Sequence, residues 1–162
     1  MEFNDSHLDQ SVSGLRIAVV CSRFNSGVTE HLVKGALRAL SEASVRKEDT
    51  TIIRVPGAFE IPLIAKRIAE TLHPDAIVCL GCLIKGETMH FEYISSATFQ
   101  GIQEASLATG VPMALGVLTV LTEEQALMRA SEGHNKGWEA ARAAIEMANL
   151  LKDLPLKRPE HE

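Results

Sequence analysis

The chain has little of what would disclose a role at first sight. It carries three cysteines, one tryptophan, one tyrosine and five phenylalanines in 162 residues. Three cysteines, Cys21, Cys79 and Cys82, do not make a disulfide framework. No apolar run approaches the roughly 20 residues of a membrane span. The opening Met1-Glu2-Phe3-Asn4-Asp5 lacks both a basic and an apolar leader region, so a cytoplasmic protein is expected. Positive charge is also in deficit, with 16 Lys and Arg against 21 Asp and Glu and a net charge of −5. That balance argues against nucleic-acid and anionic-membrane partners. Two nucleotide motifs are missing too: no G-x-G-x-x-G follows the first apolar run, and no G-x-x-x-x-G-K-[ST] occurs.

What is present is alternation. Hydrophobic content of 46% and charged content of 23% suit a globular domain, and the length suffices for a sizeable core. Apolar runs at 15–20, 51–55, 76–80 and 113–120 read as strands. Between and after them lie helical stripes: Leu32, Val33, Ala36, Leu37 and Leu40 within 29–43, then Leu63, Ile64, Ile68 and Leu72 behind Pro62. A third helix is expected from His90 to about Ala108. Thr122-Glu123-Glu124-Gln125 matches a capping box opening a helix to about Ala130, and a last helix runs from about Trp138 to Leu151. The expectation is a polar arm over 1–13, a single α/β domain over 14–154 with a mostly parallel four-stranded sheet, and a polar tail over 155–162.

In such sheets ligands bind outside the carboxyl ends of the strands. Gly81-Cys82-Leu83-Ile84-Lys85-Gly86-Glu87-Thr88-Met89-His90 follows the third apolar run and reads as a glycine-punctuated turn into a helix. Backbone N–H groups and a helix N-terminus suit an anion such as phosphate. His90 beside it is of the residue type that exchanges protons near neutrality, although a helix-start histidine is also an ordinary surface residue. The other exits carry Arg23-Phe24-Asn25 and Pro56-Gly57-Ala58-Phe59-Glu60. Phe24 and Phe59 either plug the sheet ends or present faces for a flat heterocycle, and the pair favours a ligand. Glu60 reads as an acceptor for ring or sugar groups or as a helix-dipole partner. Lys85, Arg23, Arg129 and Lys136 are unremarkable by position alone. Cys79-Leu80-Gly81-Cys82 matches C-x-x-C, but odd spacing along a strand sends the thiols to opposite faces, which favours packing over redox or metal chemistry. The hydroxyl-rich phosphate loop of a flavodoxin is absent after the first strand.

At these residues the chain resembles the 6,7-dimethyl-8-ribityllumazine synthase family of riboflavin biosynthesis. The blocks that carry the resemblance run in order from about Gly14 to Leu151. They are Arg23-Phe24-Asn25, the stretch from Val55 to Pro62, the stretch from Gly81 to Tyr93, Gly116-Val117-Leu118-Thr119 with Glu124-Gln125-Ala126, Arg129-Ala130 and Asn135-Lys136-Gly137. The resemblance implies a flavodoxin-like three-layer α/β/α sandwich that forms pentamers, with sites between subunits. Larger shells of 60 chains, paired pentamers and association with riboflavin synthase belong to the same implication. The implied reaction condenses 5-amino-6-(D-ribitylamino)uracil with 3,4-dihydroxy-2-butanone 4-phosphate, without metal or organic cofactor. By the family's pattern Phe24 stacks on the pyrimidine, and Ala58, Phe59 and Glu60 hold the ring and ribityl chain. Cys82, Leu83 and Ile84 line the same pocket, with Leu115 as a further wall. Gly86, Glu87 and Thr88 cradle the phosphate, Arg129 pairs with it, His90 transfers protons and Lys136 supports. Three departures stand out: Leu115 replaces a frequent aromatic, Glu87 a small residue, and the stretch from Arg129 to Lys136 is one residue shorter than in many relatives. The rivals are a non-catalytic flavin or lumazine binder and an assembly scaffold on the same frame.

Overall fold

The computed structural model describes residues 14–154; the polar arm 1–13 and tail 155–162 expected from the sequence lie outside the described residues. Strands β1 (Ile17–Ser22), β2 (Thr50–Val55), β3 (Ala76–Ile84) and β4 (Met113–Val120) form one sheet in the order β2-β1-β3-β4. Every neighbouring pair is parallel. This is the flavodoxin-like order without its fifth strand. Helices α1 (Ser26–Glu42), α2 (Ile61–Leu72), α3 (His90–Thr109), α4 (Glu123–Ala130) and α5 (Lys136–Asp153) complete the chain.

The helices divide between the two faces, as crossovers between parallel strands require. Against α1, α4 and α5 lie Ile17, Val19 and Cys21 of β1 with Val78, Leu80 and Cys82 of β3. Against α2 and α3 lie the alternate residues, Ala18, Val20, Ile77 and Cys79. The expected α/β/α sandwich is therefore present, with all strands parallel. Cys79 and Cys82 do point to opposite faces, and both are free and buried. β1 and the first seven residues of β3 are buried throughout, which is why they read as unbroken apolar runs.

One boundary differs in a way that matters for the site. β3 continues four residues past Leu80, so Gly81 is a strand residue and not part of the turn. The glycine is needed for packing. A Cβ there would lie 3.1 Å from Ser22 Oγ, 3.3 Å from Ile61 Cδ1 and 3.4 Å from Val117 Cγ1. The turn proper is confined to the five residues between Ile84 and His90.

The capping box at Thr122 is also only half of what the sequence suggests. Thr122 Oγ1 accepts from Gln125 N at 3.2 Å, but Gln125 Oε1 accepts from Leu121 N at 2.9 Å, one residue before the cap.

α5 starts two residues earlier than the expected Trp138, because Asn135 caps it. Its Oδ1 accepts from Gly137 N at 2.9 Å and Trp138 N at 3.1 Å. Its Nδ2 donates to His31 O at 2.9 Å and Ala130 O at 2.8 Å, tying α1 and α4 to the start of α5. Gly137 lets this junction close, since a Cβ would collide with the Leu32 carbonyl. Asn135→Ala is expected to lower stability by about 2–3 kcal/mol, a lost cap plus buried carbonyls left unpaired. Asn135→Asp keeps the cap acceptors and loses both donors, so its urea midpoint should fall between wild type and alanine. Wild-type stability of the alanine variant would refute this account of the junction.

Candidate active site

The carboxyl ends of β1, β2 and β3 open on one cleft of about 460 Å³. From the β1 exit come Phe24 and Asn25; from the β2 exit Gly57, Ala58, Phe59 and Glu60. Cys82, Leu83 and Ile84 form its floor from the end of β3, and Gly86, Thr88, His90, Phe91 and Ile94 complete it from the turn and α3.

Phe24 and Phe59 are 69% and 57% exposed. Plugs for the sheet ends would be buried, so both rings are platforms facing solvent. The loops that carry them are fastened together: Arg23 N donates to Val55 O at 2.8 Å and Phe24 N to Pro56 O at 3.2 Å. Glu60 ends a single 3-10 turn, and its Oε2 accepts from Gly57 N at 2.8 Å. One carboxylate oxygen is thus spent on ordering the loop, and Glu60 makes no side-chain cap to α2.

The turn after β3 has the character an anion needs. α3 begins behind Met89, whose side chain makes no capping bond, so the first N–H groups of a 20-residue helix have no side-chain acceptor at its N-cap. Thr88 Oγ1 lies 3.4 Å from His90 N, a long contact. Behind the turn Lys85 Nζ pairs with Glu92 Oε1 at 2.7 Å, and that hydrogen bond holds the Glu92 carboxyl below its ordinary range. Lys85 is therefore a paired residue, and Glu87 is exposed and outside the cleft lining.

Burial pushes the Cys82 thiol up to about 11 and the Cys79 thiol up to about 12. Both stay protonated at neutral pH and offer no thiolate nucleophile. Among the described residues no three of His, Cys, Asp and Glu gather as metal ligands. No helix among them is long and apolar enough to cross a membrane.

Leu115, Arg129 and Lys136 lie elsewhere. They share a second hollow, also about 460 Å³, along the edge strand β4 with Phe99, Thr119 and Glu139. Arg129 is exposed and its Nη1 donates to Gln125 O at 3.2 Å. Leu115 is half-exposed. The candidate residues thus fall into two groups on the chain, one at the strand exits and one along the free sheet edge.

The family model for 6,7-dimethyl-8-ribityllumazine synthase matches residues 14–152. The chain belongs to this family. It is 48% identical over 142 residues to a 6,7-dimethyl-8-ribityllumazine synthase of Syntrophus aciditrophicus (strain SB), covering 87% of this chain and 92% of that protein. Among solved structures, a GDP-L-fucose synthetase from Naegleria fowleri aligns with 84% of this chain and 44% of its own, at a TM-score of 0.39 and 14% identity.

Residues that the sequence left without a role also line the cleft: Asn25, Gly57, Phe91 and Ile94. Asn25, Gly57 and Phe91 sit inside the blocks that carry the resemblance. Ile94 was legible from helical spacing, since His90 and Ile94 are one turn apart on α3.

Proposed function

We propose that this chain condenses 5-amino-6-(D-ribitylamino)uracil with 3,4-dihydroxy-2-butanone 4-phosphate to 6,7-dimethyl-8-ribityllumazine, releasing phosphate and water. The observation that carries the reading is the convergence of two exposed aromatic platforms, a carboxylate, a helix-start turn and His90 on one cleft. Phe24 and Phe59 supply faces for the flat pyrimidine, with Glu60 and Ala58 beside them for the ribityl chain. Gly86, Thr88 and the N-terminal turn of α3 receive the phosphate.

The amine nucleophile is part of the substrate, so no activated side-chain nucleophile is required. The amine attacks the ketone carbonyl, and loss of water gives the imine. Phosphate then leaves by elimination, and the ribitylamino nitrogen attacks the remaining carbonyl to close the ring with loss of a second water. Each step moves protons, and His90 is the group in the cleft suited to carry them. Holding both substrates together converts a bimolecular encounter into an internal one, an effect worth up to about 7–11 kcal/mol in well-aligned cases.

The site is completed by a neighbouring subunit in a ring, pentameric by the family's pattern. What supports this is the placement of Leu115, Arg129 and Lys136 on the exposed β4 edge, outside the cleft that needs a cationic phosphate partner. A head-to-tail ring brings one chain's edge against the next chain's strand exits.

Incubating the protein with both substrates and following lumazine fluorescence tests the reaction; no product from the assembled protein would refute it. Arg129→Ala is expected to raise KM for the phosphorylated substrate about tenfold to a hundredfold while the pyrimidine KM moves little, as for loss of a charged hydrogen bond. Arg129→Lys should recover only part, because lysine lacks the guanidinium fork. Equal weakening of both substrates would contradict the assignment.

A further inference from the structure

Asn25 is the residue before α1 and stands in the left-handed region, at φ 58° and ψ 47°. Asparagine at an N-cap ordinarily has extended backbone and accepts from the second or third helical N–H through its side chain. Here it makes no side-chain cap. The Val28 and Thr29 N–H groups instead bond the Asn25 carbonyl, at 2.9 and 3.0 Å. The freed amide reaches across the sheet end, where Nδ2 donates to Cys82 O at 2.8 Å, 57 residues away in sequence. Only the NH2 side of the amide can face a carbonyl oxygen, so its orientation is fixed.

Local rules are broken at this position, and breaks of that kind concentrate at functional sites. What the break achieves is visible in the neighbours. Phe24 is held through its own N–H to Pro56 and, through Asn25, to the floor of the cleft at Cys82. The Phe24 ring is mostly exposed, so packing does not fix it and the backbone tether must. We infer that Asn25 is a positioning residue: its side-chain amide fastens the Phe24 platform to the end of β3 and sets the gap into which the pyrimidine slides. The inference rests on the reading of this cleft as the ring site.

A double-mutant cycle between Asn25 and Phe24 tests it. Asn25→Gly keeps the left-handed backbone without strain and removes only the amide. It should raise the pyrimidine KM about tenfold in the Phe24 background and less than about twofold in Phe24→Ala, with the KM for the phosphorylated substrate unchanged in both. Asn25→Asp, isosteric but without a donor toward Cys82 O, should behave as glycine does. Equal effects in both backgrounds, or parallel weakening of both substrates, would overturn the proposal. A readout without turnover separates this from failure of the proposed reaction. In a Trp138→Phe chain carrying Phe24→Trp, Asn25→Gly should lower the fluorescence anisotropy of the new indole. Unchanged anisotropy would overturn the tether, whereas absence of lumazine from wild type would overturn the reaction and leave the anisotropy to decide the tether.

Discussion

His90→Ala is expected to slow turnover by about 10²–10⁴-fold at saturating substrates, with both KM values nearly unchanged. The imidazole lines the cleft at the first residue of α3, next to the turn that would hold the leaving phosphate. It is exposed and has no packing to lose, so the variant should fold and assemble normally. Its effect should appear only in the steps that move protons. Residual activity well above the uncatalysed rate is expected, since substrate alignment by Phe24, Glu60 and the turn remains intact. Steady-state kinetics on the purified variant decides the matter. A near-normal kcat would remove His90 from proton transfer and leave Thr88 or solvent as carrier.

The same experiment separates the enzyme from its rivals. A flavin or lumazine binder would tolerate His90→Ala without loss of affinity and would show no turnover to lose. A scaffold would be indifferent to His90, Phe24 and Glu60 alike. The cleft speaks against a scaffold, because two strand exits devote loop hydrogen bonds to holding exposed aromatic rings in place.

Much of the fold was legible because burial on both faces writes itself directly into sequence. β4 begins and ends where its apolar run does, and the alternation of strands and helical stripes yields the parallel sandwich. Boundaries set by non-local contacts were not legible. Gly81 looked like turn punctuation and is a strand residue, because the reason for glycine is the proximity of Ile61 and Val117 from other elements. α1 starts at Ser26-Gly27, which has no apolar signal, because Asn25 supplies a carbonyl that turns the chain. The residues of the cleft were visible as short blocks at strand exits. Their cross-links were not: no periodicity indicates that Glu60 folds back on Gly57, that Lys85 is claimed by Glu92, or that Asn25 gives up its cap for Cys82.

Two impaired proteins are expected to make a more active one. His90→Ala chains keep Arg129 on their β4 edge, and Arg129→Ala chains keep His90 at their strand exits. In a head-to-tail ring every site has an exit half from one chain and an edge half from the next, so the two defects fall in different halves. Random reassembly from equal amounts places an intact exit beside an intact edge at about one site in four, whatever the number of subunits in the ring. Denaturing the variants together and refolding them should therefore restore about a quarter of the wild-type rate, read at phosphorylated-substrate concentrations below the wild-type KM, where either variant alone is slow. The physical basis is the separation seen in one chain, where Arg129, Lys136 and Leu115 share a hollow that has no residue in common with the cleft of His90. Subunit exchange must be shown independently, for example by mixed species in native mass spectrometry of chains carrying different tags. Exchange without recovery would mean that His90 and Arg129 serve the same chain's site and that some rearrangement of β4 brings them together. Recovery near one quarter would instead assign each site to two chains, and would explain why a chain with a well-formed cleft keeps Arg129 on an open edge.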